Sequence, residues 1–80
     1  MTTTENQLRE IVSNLGDFGP DFDSKAHFFH DLEVASARAL ELLMTIEDTF
    51  AVMVPDDDFN EVINLEQLVD LVDRLKQEAG

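Results

Sequence analysis

The sequence predicts an all-α fold: a small bundle of three main helices, a short extra helix before the last one, and a long loop between the first and second. Three observations carry this expectation. Apolar residues recur at helical spacing in three separate segments. Each segment is bracketed by capping residues or by a glycine. The best strand signal, Ala51-Val52-Met53-Val54, is too brief and isolated to build a sheet. Eighty residues read as one domain over residues 1–80, with a small core and no room for a large enclosed active site.

In the first helix, Thr4 reads as the N-cap with Gln7 three residues on, and Leu8, Ile11, Val12 and Leu15 share one face. Gly16 is the expected stop. Over residues 16–35 the periodicity dissolves into Gly19-Pro20 and scattered aspartates. Phe18, Phe22, Phe28 and Phe29 are expected to pin this stretch, with a helical turn around residues 25–29 capped by Asp23 or Ser24. The second helix runs from Ala37 after Ser36 to Phe50. It buries Ala39, Leu42, Leu43, Ile46 and Phe50, with Leu40 and Met44 beside that stripe. Asp56-Asp57-Asp58 after Pro55 suits the cap and first turn of a short third helix anchored by Phe59, Val62 and Ile63. Asn64 and Gln67 resemble a capping box for the last helix, where Leu65, Leu68, Val69, Val72 and Leu75 line one side. Arg74 and Lys76 there complement the C-terminal dipole.

Charge and composition exclude whole classes of function. The 18 acidic and 5 basic residues give a net charge of -13, which repels nucleic acid and anionic lipid and favours partners with basic surfaces. The chain is expected to be a monomer without membrane insertion. Without cysteine there is no disulfide, thiolate metal site or cysteine nucleophile. No run approaches the roughly 20 apolar residues of a membrane span, and Met1-Thr2-Thr3-Thr4-Glu5 lacks the marks of a signal peptide, so a cytoplasmic location is expected. Asp56, Asp58 and Asn60 match the first positions of a calcium loop. Glu61 and Gln67 then stand where its glycine and bidentate glutamate belong. His27, His30 and Asp31 have a ligand-like spacing, yet histidines in a loop more often pack or cap, and no metal is expected. No nucleophile, base and orienting acid stand out as a set, so no catalysis is expected.

Ser36 stands where the irregular stretch meets the second helix. A helix start offers unpaired N–H groups and a positive dipole end, so a phosphate on Ser36 would sit in a favourable field. The same position suits a serine N-cap, and the residues alone leave both roles open.

Phe28, Asp31, Leu32, Ser36, Glu41, Leu42, Met44, Ile46, Glu47 and Phe50, then Val54-Pro55-Asp56 and the segment 64–75, resemble the acyl carrier protein family in order and spacing over residues 28–75. The resemblance implies an acyl-carrier-like bundle in which Ser36 carries 4'-phosphopantetheine as a phosphodiester, its terminal thiol holding acyl groups as thioesters. It implies loading by a phosphopantetheinyl transferase, which supplies the metal and base that activate the serine. It also implies that acyl-transferring or condensing enzymes with basic docking patches dock on Arg38, Leu40, Glu41, Met44, Glu47 and Asp48. Leu42, Leu43, Ile46, Phe50, Val62, Leu68 and Val72 are the expected acyl-chain lining, a set that reads equally as ordinary core.

The chain departs from the family pattern at four places. Glu33 replaces the usual Gly, Ala35 the usual Asp before the serine and Ala37 the usual Leu after it, and Arg38 stands where an acid is common. These departures imply a specialised carrier of lipid or secondary-metabolite biosynthesis rather than the housekeeping carrier of fatty-acid synthesis. The alternative is an unmodified carrier-like module that binds a basic partner through its acidic second helix.

Overall fold

The computed structural model describes residues 3–28, 30–31 and 36–79, and all regular structure among them is helical. Helix α1 spans Thr3–Gly16, a 3₁₀ turn covers Ser36–Arg38, and helices α2, α3 and α4 span Ala39–Phe50, Asp56–Asn60 and Leu65–Ala79. Among these residues no helix is long and apolar enough to cross a membrane.

Helix α1 packs against both α4 and α2. Leu8 and Val12 of α1, Leu42 and Ile46 of α2, and Leu65, Leu68 and Val72 of α4 form the centre of the core. The apolar face of α4 is wider than its predicted stripe, because Leu71 is buried as well. Val52 and Val54 fill the core from the connection after α2, which stays extended without pairing into a strand.

The start of α1 differs from expectation. Thr4 lies inside the first turn, buried, and its Oγ1 accepts a hydrogen bond from Lys76 Nζ at 3.0 Å. That ammonium also lies 5.6 Å from the centroid of the Phe50 ring, so one lysine of α4 ties the N-terminus of α1 to the C-terminus of α2. Gly16 ends α1 as expected, but the left-handed residue is Asp17, with φ 60°. Phe18 N–H then donates to Ser13 O at 3.1 Å, the six-to-one bond of a Schellman closure.

The loop after α1 is held by more than phenylalanines. Phe28 is buried, and Phe18 and Phe22 meet edge to face at 5.4 Å. Arg9 supplies the rest: its Nη1 donates to Pro20 O at 2.8 Å and to Phe22 O, and its guanidinium sits 5.0 Å from the Phe22 ring centroid. Near residue 25 the chain turns without becoming helical, because Asp23 Oδ1 accepts from Lys25 N–H at 2.9 Å and closes a local turn. Phe29 lies outside the described residues.

Two backbone bonds stitch this loop to the far end of the molecule: Phe28 N–H donates to Ile63 O at 2.8 Å, and Glu66 N–H to Ser24 O at 3.0 Å. The second satisfies a donor in the first turn of α4 that the helix itself leaves open. Asn64 caps α4 as expected, accepting Gln67 N–H at 2.9 Å, while Gln67 Oε1 accepts from Ile63 N–H at 3.0 Å, one residue before the cap. The cap of α3 is Pro55 rather than an aspartate, since the fixed φ of proline suits a helix entry. The three aspartates occupy the first turn. Ile63 is 41% exposed, less of an anchor than expected.

Candidate functional site

The polypeptide enters α2 through the 3₁₀ turn that Ser36 opens, so α-helical geometry begins at Ala39 rather than Ala37. The N-cap position belongs to Arg38, in αR geometry and without a side-chain cap. Such tight turns often begin a helix, because i→i+3 bonds satisfy donors that an α-helix leaves open. A cation at a helix start opposes the dipole. Arg38 compensates by pairing with Glu41 Oε2 at 2.8 Å, one turn along.

Ala37, Arg38, Leu40 and Glu41 are exposed, which puts the turn at the surface. Ala39 points the other way and lines a cavity of about 90 Å³. Val12 and Leu15 of α1, Phe28 of the loop, Leu42 of α2, and Phe59 and Val62 at α3 complete its apolar wall, and Asn60 adds a polar side chain. At roughly 30 Å³ per water in the liquid, this is space for a few solvent molecules or a short carbon chain. Among the described residues no buried side-chain nitrogen or oxygen lacks a hydrogen bond, so the cavity does not wait on a polar ligand.

Of the residues expected to line an acyl chain, Leu42 and Val62 face this cavity. Ile46, Leu68 and Val72 are fully buried in the core, and Leu43 and Phe50 pack at its margin. Sequence reasoning missed the contribution of α1, although Val12 and Leu15 lie on its apolar stripe, and that of Phe28, which was expected to pin the loop and matches the family pattern but was not expected in the lining. Among the expected docking residues, Arg38, Leu40, Glu41, Met44 and Asp48 are exposed. Glu47 is half-buried, and its Oε2 accepts Val54 N–H at 2.9 Å. Leu32, Glu33 and Ala35 lie outside the described residues. Just before them, His27 Nδ1 accepts from His30 N–H at 3.2 Å, and His27 N–H donates to Asp31 Oδ2 at 2.9 Å, so these three residues build a turn.

Three long helices, a short one, and a surface turn beside an apolar cavity make up the described domain. A family model described as "Phosphopantetheine attachment site" matches residues 6–72, from within α1 into α4. The chain therefore belongs to that family, consistent with the acyl carrier proteins, whose members hold 4'-phosphopantetheine covalently. Such domains carry phosphopantetheine-linked acyl groups, interact with transferases and biosynthetic enzymes, and are not catalytic themselves.

The residues around the turn fit the group. An exposed helix entry with an arginine two residues beyond the serine suits a phosphodiester, and Ala39 brings the same turn against a cavity suited to apolar cargo. When bound, the group supplies a thiol at the end of a flexible arm.

Proposed function

We propose that Ser36 is the attachment residue and that the protein carries short acyl groups as thioesters in a specialised lipid or secondary-metabolite pathway. The observation that carries this reading is the juxtaposition around the 3₁₀ turn: Ser36 opens it, Ala37 and Arg38 are exposed, and Ala39 lines the apolar cavity. The apolar cavity of about 90 Å³ supports cargo of a few carbons. Ala35 and Ala37, where the family has Asp and Leu, support a dedicated transferase and a specialised pathway.

The test is intact mass after incubation with coenzyme A and a phosphopantetheinyl transferase, followed by fragmentation. The expected result is one phosphopantetheine increment on Ser36 and none on Ser36→Ala, with Ser36→Ala folded. An increment on Ser36→Ala would overturn the assignment. Protein left unmodified by several transferases, and unmodified from its host, would favour the interaction module.

A further inference from the structure

We infer that Asn60 selects the cargo of this carrier, favouring short, uncharged acyl groups that bear a hydroxyl or keto oxygen near the thioester; this deepens the carrier reading above and rests on it. The wall of the cavity beside the 3₁₀ turn is apolar except at one residue, Asn60, the last of α3. The amide of that residue is not spent on structure. Backbone bonds alone close the end of α3, with Glu61 N–H donating to Asp58 O at 3.3 Å and Val62 N–H to Phe59 O at 3.1 Å. Among the described residues the Asn60 side chain makes no hydrogen bond, whereas Asn64 gives its Oδ1 to the cap of α4. Asn60 is also exposed, so it stands on the open side of the cavity. A cargo chain entering from solvent passes this amide before it reaches the buried wall.

That order sets the chemistry of the cargo. Carbons deeper in the cavity meet only Val, Leu, Phe and Ala side chains, and a polar group placed among them would lose its water without gaining a partner. An oxygen level with Asn60 keeps a partner. The amide nitrogen donates to a keto or hydroxyl oxygen, and Oδ1 accepts from a hydroxyl, so either function suits. A charged group does not, because the wall holds no charged side chain to pair with it. A second carboxylate is further opposed by the net charge of -13. Because Asn60 is solvated when the cavity is empty, the preference is that of one neutral hydrogen bond, about fivefold.

The experiment loads Ser36 with a butyryl- or a 3-hydroxybutyryl-pantetheine arm, using the corresponding coenzyme A thioesters and a broad-specificity phosphopantetheinyl transferase. Cleavage of each thioester by hydroxylamine is then followed by intact mass. Dividing each rate by that of the same thioester on coenzyme A removes the hydroxyl's own effect on reactivity. The native chain is expected to protect the hydroxybutyryl thioester about fivefold better than the butyryl one. In Asn60→Ala, shown to be folded by circular dichroism, that ratio is expected to fall to about one. Equal protection of the two cargoes by the native chain, or a preference that survives in Asn60→Ala, overturns the role of Asn60 and leaves the carrier reading standing. Ser36 loaded with neither thioester protected overturns the cavity as the place of the cargo, and with it the selection by Asn60. No loading of Ser36 overturns the attachment assignment on which both rest.

Discussion

Arg9 and Arg38 carry the same group and do different work. The Arg9 guanidinium is mostly shielded, paired with Glu5 at 3.0 Å and spent on two carbonyls of the loop and the face of Phe22. Hydrogen bonds from a charged donor contribute about 1.5–3 kcal/mol when shielded from water. Arg38 is exposed, as is its partner Glu41, and such pairs contribute at most about 1 kcal/mol. In urea unfolding, Arg9→Ala is therefore expected to cost about 2–3 kcal/mol and Arg38→Ala less than about 0.5 kcal/mol. Equal losses would show that the loop does not depend on Arg9. Nothing local to Arg9 in the sequence announces carbonyls 11 and 13 residues away.

Two helix ends make opposite demands on small residues. At the end of α1, a Cβ added to Gly16 would land inside the Phe18 ring. Gly16→Ala should gain up to about 1 kcal/mol of helix propensity and lose about 1–3 kcal/mol to overpacking, for a net destabilisation of about 1–2 kcal/mol in urea. Unchanged stability would mean that Phe18 moves aside freely. At the end of α2, Ala51 holds φ 55° and ψ 45°, a left-handed conformation costing an L-residue about 1–2 kcal/mol. Glycine adopts it freely but adds unfolded-state entropy, so Ala51→Gly is expected to stabilise by about 0.5 kcal/mol. A lower melting temperature for that variant would contradict this account. Both ends had legible signals, Gly16 as a stop and Val54-Pro55 as a break. Which residue turns left-handed depended on where the ring and the core valines had to go.

At the scale of the whole molecule, the surplus of acid sets behaviour that no single contact can. A net charge of -13 on 80 residues pushes the compact state apart, and added salt screens that repulsion. The melting temperature is expected to rise by several degrees between about 0.05 and 0.5 M salt, against a gain of about 4–8 °C per kcal/mol for a domain of this size. A melting temperature that ignores salt would show the charges to be well spaced already.

Helical class, three main segments, the Asn64 cap, the acidic character and the position of Ser36 were legible in the sequence alone, because each is written in spacing or composition within a dozen residues. The cavity was not: its wall draws Val12 and Leu15 from α1, Phe28 from the loop and Val62 from beyond α3. Nor could periodicity separate Leu42, which faces that space, from Ile46, which fills the core one turn on. Glu47 shows the same limit: no local pattern announces that its carboxylate accepts Val54 N–H seven residues on. Local pattern determines which residues leave water, whereas the partners they meet depend on how the long loop folds back across the bundle, and that is decided by contacts distant in sequence.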